Sequence, residues 1–183
     1  MQQQTTTRDH LLAAAQQVVI AGGANALTLD AVARAARVSK GGLLYHFPNK
    51  EALIVGMIDL LCVAFEAALA QALADDGQAG SGRFVRAYVT ATFAPNREAL
   101  ELSAALLAAA ANNPGLVAPF QERMAGWQAQ IEHDGLDPAL ATAIRLAADG
   151  LWFADLGGFA TPTGQQRQQV LDTLLALTKG THQ

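Results

Sequence analysis

The sequence predicts an all-α fold of about nine helices, a three-helix module followed by a longer helical domain. Almost every apolar run repeats with a period near 3.6 residues, and no alternating β-branched stretch is long enough for a sheet. Capping and breaking residues punctuate those runs throughout. With 183 residues, 51% of them hydrophobic and 15% charged, the chain can bury a sizeable core and is not disordered beyond its tails. The single cysteine, Cys62, excludes an internal disulfide and a Cys-rich metal framework, and fits a reducing, cytoplasmic setting as a buried thiol.

The first helix follows Thr5-Thr6-Thr7, with Leu11, Ala15 and Val18 on one face and Leu12 and Val19 beside it, and ends near Gly22-Gly23. Thr28 caps a short second helix, Leu29 to Ala36, with Leu29, Val32 and Ala33 facing inward. After a tight connection at Val38, Ser39 caps a third helix through Phe47, and Pro48 stops it. Asn49 caps a fourth that runs to about Ala74, before the loop Asp75-Asp76-Gly77-Gln78-Ala79-Gly80-Ser81-Gly82. Further helices are expected at 83–93, 96–111, 115–133, 138–157 and 164–179, separated by Pro95-Asn96, Asn112-Asn113-Pro114-Gly115, Asp137-Pro138 and Thr161-Pro162-Thr163-Gly164.

The N-terminus has no basic region followed by an apolar stretch, so no export signal is expected. Residues 52–74 come nearest to a membrane span. They contain Asp59, Glu66 and Gln71, and each acid at mid-bilayer costs about 2.5 to 3.5 kcal/mol. A long buried helix is expected instead, with no membrane partner.

The net charge of −4 conceals an asymmetry. Residues 1–53 hold five basic against three acidic side chains, a balance of +2, whereas the remainder holds seven against thirteen. The first part is the one suited to an anionic partner. Its three short helices, the second and third joined by a tight turn, form a helix-turn-helix arrangement. In the third, Leu44 and Phe47 are expected to anchor the helix, while Lys40, Gly41, Gly42, Tyr45 and His46 fall toward the opposite side. Each glycine there costs about 1 kcal/mol relative to alanine, for which close approach of the helix N-terminus to phosphates and base edges is the natural return. The plain alternative is that the glycines only ease the turn.

The run from Thr28 through Leu29-Asp30-Ala31-Val32-Ala33-Arg34-Ala35-Ala36-Arg37-Val38, Ser39-Lys40-Gly41-Gly42-Leu43-Leu44-Tyr45-His46-Phe47 and Pro48-Asn49-Lys50-Glu51-Ala52-Leu53 resembles the N-terminal DNA-binding domain of TetR-family transcriptional regulators. The resemblance covers roughly residues 7–54. It implies a homodimer of all-helical subunits, an inverted-repeat operator in double-stranded DNA, and a C-terminal domain that binds a small effector. The implied domains are 1–54, with the recognition helix at about 39–47, and 55–183. Matched position by position, Thr28 opens the second helix against phosphate, and Ser39, Lys40, Gly41, Gly42 and Leu43 start the recognition helix. Tyr45 and His46 meet backbone and bases, and Lys50 binds phosphate at the start of the fourth helix. The chemistry agrees: tyrosine hydroxyls and lysine ammoniums donate well to phosphate, and a neutral histidine donates from one ring nitrogen. Arg34 and Arg37 are read as long-range attraction only.

Beyond residue 55 no second signature appears. Phe65, Tyr88, Phe93, Leu106, Phe120, Met124, Trp127, Trp152 and Phe153 are candidate walls of a pocket for a small apolar or amphipathic effector. Tyr88, Glu101, Asn112, Asn113, Gln128 and His133 are its candidate polar anchors. Glu132, His133 and Asp134 point in different directions on a helix, so no metal or other cofactor is expected. Leu140, Ile144, Leu151 and Phe159, with Val170, Leu174 and Leu177, recur at helical spacings and are read as dimer elements of the last two helices.

An enzyme is the main competing class. The sequence offers no nucleophile elbow, phosphate-cradling glycine loop, metal-ligand spacing or Ser, His and acid set to support it. A helical interaction protein with a degenerate helix-turn-helix is the other, opposed by Lys40, Tyr45 and Lys50. For the regulatory sign, repression is the expectation and activation the alternative.

Overall fold

The structure is a computed structural model that describes residues 6–77, 80–94, 97–111 and 113–179. Among the described residues there are nine α-helices and no strand. The chain divides into two compact units, Met1–Leu61 with Arg97–Phe120, and Cys62–Asn96 with Gln121–Gln183.

The first unit opens with α1, Thr7–Gly22. Its cap is Thr6, whose hydroxyl accepts from the Asp9 N–H at 3.2 Å while the Asp9 carboxylate accepts from the Thr6 N–H at 3.0 Å. Thr5, also named as a cap from sequence, lies outside the described residues. A 3-10 turn at Ala24–Ala26 leads to α2, Leu29–Ala35, capped by Thr28, and then to α3, Lys40–His46, capped by Ser39. In both helices the capping oxygen accepts a backbone N–H at 3.1 Å. The turn between them places Arg37 at φ 56°, a left-handed conformation costing roughly 1 kcal/mol or more outside glycine. Asn49 accepts from the Ala52 N–H at 2.8 Å and starts α4, Lys50–Asp75.

Leu11, Leu12, Leu27, Val32, Leu43, Phe47, Leu53 and Met57 form the buried centre of this unit. The third helix is therefore anchored by Leu43 and Phe47, four residues apart on one face. Leu44, expected to do this, is 37% exposed, whereas Leu43 is fully buried. α6, Arg97–Ala110, packs on α1 and contributes Leu102, Leu106 and Ala110 to the same core.

In the second unit, α5 (Arg83–Phe93) packs against α8 (Pro138–Gly157) and α9 (Gly164–Leu177). Between them in sequence comes α7, Ala118–Glu132, which begins in the first unit. The expected helix from 115 is a 3-10 turn, Pro114–Val117, followed by α7. Pro119 explains the break: with no N–H it cannot bond the Gly115 carbonyl of a continuous α-helix. α8 ends at Gly157 and is capped by Gly158, φ 66°, and α9 stops at Leu177 rather than 179. The expected punctuation at Pro95-Asn96, Gln78-Ala79 and Asn112 lies outside the described residues.

α4 differs from the expected fully buried helix. Only 39% of its most apolar window is buried, and that window is long and apolar enough to cross a membrane by length and composition. Its uncovered positions are mostly small, Ala64, Ala67 and Ala70 beside Val63, so the exposed apolar area per residue is modest.

The assignment of the α3 anchor is tested by paired truncations. Leu43→Ala is expected to cost about 2 to 5 kcal/mol through the cavity it leaves. Leu44→Ala is expected to cost about 0.5 kcal/mol or less. Urea unfolding followed by circular dichroism measures both, and equal costs would reject the assignment.

Candidate functional site

The burial of Leu43 and Phe47 turns the rest of α3 outward. Tyr45 is 86% exposed, a large aromatic ring held in solvent, and its ring meets that of His46 edge-on at 5.1 Å between centroids. Lys40, Gly41 and Gly42 are exposed at the N-terminal end, and His46 is half-buried. A Cβ added at Gly41 would meet nothing within 4 Å, so no internal contact requires glycine there. At Gly42 it would meet the Ser39 hydroxyl at 3.3 Å, crowding the capping oxygen. Thr28 lies at the start of α2, and Lys50, half-buried, at the start of α4.

One sequence expectation changes here and one contact is added. Leu43, placed among the DNA-contacting residues, is not on the surface: its side chain fills the core and its N–H bonds the Ser39 carbonyl at 3.1 Å. Lys40 is not a free cation, since its ammonium pairs with Asp30 at 3.0 Å, both side chains more than half exposed. Such a pair contributes little to stability and exchanges readily with another anion. Lys50 and Glu51 also line an open cleft of about 590 Å³ in this unit, shared with Asn25, Ile54, Ala108 and Asn113.

In the second unit, four pocket candidates come together. The Phe65 ring lies 5.3 Å from Tyr88 and 4.8 Å from Trp127, and the Tyr88 hydroxyl is 3.9 Å from the Met124 sulfur. The same hydroxyl donates to Asp149 at 2.8 Å, and Asp149 also pairs with Arg145. Burial pushes the Tyr88 hydroxyl well above the ordinary phenol value and Asp149 reinforces this, so Tyr88 is the donor. Burial likewise raises the Asp149 carboxyl, against the Tyr88 hydroxyl and the Arg145 guanidinium, which hold it down. Asp149 and Arg145 were not singled out from sequence; a charged pair four apart on a mostly apolar helix was the available signal.

The other candidates lie elsewhere. Phe93 sits beneath the Arg167 guanidinium at 5.4 Å, and Trp152 is half-buried. Leu106 and Phe120 belong to the first unit. Of the polar anchors, Gln128 bonds Glu132 and Thr142, Glu101 pairs with Arg97, and Asn113 lines the first unit's cleft. His133 bonds the Ala129 carbonyl at 2.7 Å, while Asp134 accepts from the Val85 N–H at 2.9 Å. Asn112 lies outside the described residues. Among the described residues no three His, Cys, Asp or Glu side chains gather as a metal site.

The dimer candidates divide. Ile144, Leu151 and Leu174 are buried in their own unit, where α5 packs against α8 and α9. Leu140 and Val170 are half-buried. Phe159 and Leu177 are exposed, and so are Leu146 and Phe153, neither of which the sequence reading named as a dimer element, Phe153 having been a candidate pocket wall instead. Phe159 folds back against Phe153 at 5.7 Å, a path that requires glycine at 157, where a Cβ would fall 2.0 Å from the Phe159 ring.

A short capped helix held by two apolar anchors, its other side bare, within a compact helical head defines a helix-turn-helix DNA-binding protein. Residues 11–57 match the bacterial regulatory proteins of the tetR family, and residues 82–179 match the tetracyclin repressor-like C-terminal domain. The chain belongs to the TetR family of transcriptional regulators, which are DNA-binding proteins and not enzymes. Solved structures share the fold at low identity. A transcriptional regulator from Rhodococcus sp. Rha1 superposes with a TM-score of 0.76 at 20% identity, over 94% of this chain and 96% of that one. A TetR-family member from Streptomyces coelicolor A3 gives 0.70 at 24% identity, over 94% and 98%. The multidrug binding protein EbrR, complexed with imidazole, gives 0.68 at 23% identity, over 96% and 92%. No curated protein matches the chain.

The Tyr88–Asp149–Arg145 set makes a prediction about stability. A carboxyl raised in the folded state favours folding at low pH, and that contribution is lost as pH rises through its folded pKa. Arg145→Met removes the positive charge that opposes Asp149 and is expected to cost about 3 kcal/mol. The loss should be larger at about pH 8 than at about pH 5, because rising pH favours the carboxylate that Arg145 no longer compensates. Urea unfolding at the two pH values measures it; a pH-independent cost would contradict the role given to Arg145.

Proposed function

We propose that this protein is a ligand-responsive repressor that binds an inverted-repeat operator as a homodimer, with residues 1–54 reading DNA and 55–183 sensing an effector and dimerising. The observation that carries this reading is the outward face of α3, with Tyr45 86% exposed and open space over Gly41. A bare glycine at the helix start lets the backbone N–H groups approach a groove wall, and Tyr45 donates to phosphate. His46 reads a base edge, and Thr28 and Lys50 hold the flanking phosphates. Lys40 exchanges Asp30 for a phosphate, which the weakness of that surface pair allows. A cytoplasmic location follows from this role.

A small-molecule response is supported by EbrR, whose structures with imidazole and with ethidium share this fold. The effector domain's aromatic group of Phe65, Tyr88 and Trp127 offers apolar surface for such a molecule. For the dimer, the exposed side of α8 offers Leu146, Gly150, Phe153 and Gly157 at spacings of four and three, flanked by Phe159, with Leu177 on α9. Two copies of an apolar stripe lined with glycines pack closely when related by a two-fold axis.

Selection of bound sequences from a randomised duplex pool tests the reading. The expected result is an inverted repeat with half-site centres about 34 to 36 Å apart, or a multiple of that. Lys50→Ala should weaken binding to all sequences alike and reduce the salt slope by about 1. His46→Ala should relax preference at one position in each half-site. Wild-type affinity and preference in both variants would show that the reading face lies elsewhere.

The dimer face has its own test. Phe153→Asp is expected to shift the protein from dimer to monomer in sedimentation velocity and to abolish tight operator binding, with the helical content unchanged. A dimeric Phe153→Asp protein would place the interface on another surface.

A further inference from the structure

Three buried side-chain atoms among the described residues of the second unit have no hydrogen-bond partner: the Thr161 Oγ1 beyond the end of α8, and, together between α7 and α8, the Gln128 Oε1 and the Arg145 Nε. Burying a polar group unpaired costs roughly 1 to 3 kcal/mol, so two along one seam require an account. Their placement follows from the register of α7 against α8. Gln128 Nε2 donates to the Thr142 hydroxyl at 2.8 Å, while the Tyr88 hydroxyl bridges Met124 of α7, at 3.9 Å, and Asp149 of α8, at 2.8 Å. Residue 128 thus lies level with 142, and 124 with 149. Arg145 falls between those two levels, within a stretch of roughly 10 Å at 1.5 Å per residue.

We propose that this seam is the effector's polar anchor, and that the effector is a neutral small molecule with an aromatic or apolar body and one hydroxyl-type group, which donates to Gln128 Oε1 and accepts from Arg145 Nε. The inference rests on the ligand-responsive reading above and names the chemistry of its ligand. A hydroxyl matches both orphaned atoms at once, because one needs a donor and the other an acceptor. Phe65, Tyr88 and Trp127, with centroids 4.8 to 6.2 Å apart, supply the aromatic surface beside it. Charge decides against an ion. Asp149 is engaged by Arg145 and Tyr88, and Glu66 by Arg123 at 2.9 Å. A cation entering here would be desolvated without a carboxylate of its own, and an anion would compete with Asp149 for Arg145.

Four probes of matched size decide it with the full-length protein: phenol, toluene, benzylammonium and benzoate, each titrated by calorimetry. Phenol is expected to bind at least tenfold more tightly than the other three. Gln128→Leu should remove the preference for phenol over toluene while leaving toluene binding unchanged. Thr142→Val removes a partner of Gln128 without touching either orphaned atom, and should retain the preference. Thermal unfolding confirms that both variants are folded. Equal binding of phenol and toluene, tighter binding of benzylammonium, a preference that survives Gln128→Leu, or no phenol binding up to its solubility limit would each overturn the proposal. Release of operator DNA, screened separately with a broad compound set, distinguishes the two failures. Release by other compounds leaves the ligand-responsive reading standing without this anchor, and release by none removes that reading as well.

Discussion

The burial of Leu43 and Phe47 is the contact on which the DNA-facing half of the molecule depends. α3 has seven residues, two of them glycine, and a helix of that length does not persist alone in water. It exists because those two side chains are seated among Leu11, Leu27, Val32 and Leu53, each buried to within a few per cent. Burial of one such side chain is worth about 1.5 to 3 kcal/mol, enough to offset both glycines. Once that face is fixed, helix geometry aims Tyr45, Gly41 and Lys40 outward. The hydrogen bond between His10 Nε2 and the Ala36 carbonyl, at 2.9 Å, ties α1 to the end of α2 and steadies the turn that carries α3. The anchoring residues and the outward, proposed reading residues of this short helix are therefore different, and the outward face is free to vary without loss of fold.

The second unit is organised on another principle. Arg86, 6% exposed, is held by Asp76 and by the Ser81 carbonyl, both at 2.9 Å, and Arg167 makes two bonds to Asp155 at 2.9 and 3.0 Å. With Tyr88, Asp149 and Arg145 these pairs tie α5, α8 and α9 at fixed levels. Buried ion pairs add little net stability over apolar packing, but breaking one is costly, so they fix register more than they add strength. A domain pinned at a few polar points, with aromatic rings between them, can repack those rings without losing its alignment.

The local features of this fold were legible in the sequence because they depend on near neighbours. Thr28, Ser39, Asn49 and Asp137 each accept a backbone N–H three residues on, a bond that requires no knowledge of the rest of the chain. Features set by distant neighbours were not. Leu43 and Leu44 are adjacent, and either can share a face with Phe47, at spacings of four and three; only the packing of α1 and α2 decides between them. α8 is apolar on two sides, and the pairs Ile144/Leu151 and Leu146/Phe153 have the same spacing of seven. Which pair faces the unit's own core depends on where α5 lies. The Tyr88–Asp149 bond joins residues 61 apart and leaves no periodic trace. Pro119 was the exception, a local signal for the break before α7 that the hydrophobic period outweighed.

In the proposed reading, these two sides of α8 connect sensing to assembly. Thr142, Arg145 and Asp149 form its inner polar stripe, and Leu146, Gly150, Phe153 and Gly157 lie roughly 100° away around the same helix. A helix moves as a rigid body, so an effector that pairs with Arg145 and shifts α8 at its inner face must displace the outer stripe by a comparable amount. Packed interfaces respond to such shifts by changing between discrete arrangements rather than by deforming smoothly. With the outer stripe as the proposed subunit contact, partner and effector would meet the same helix. The direction of the response then depends only on which arrangement of α8 the effector binds more tightly.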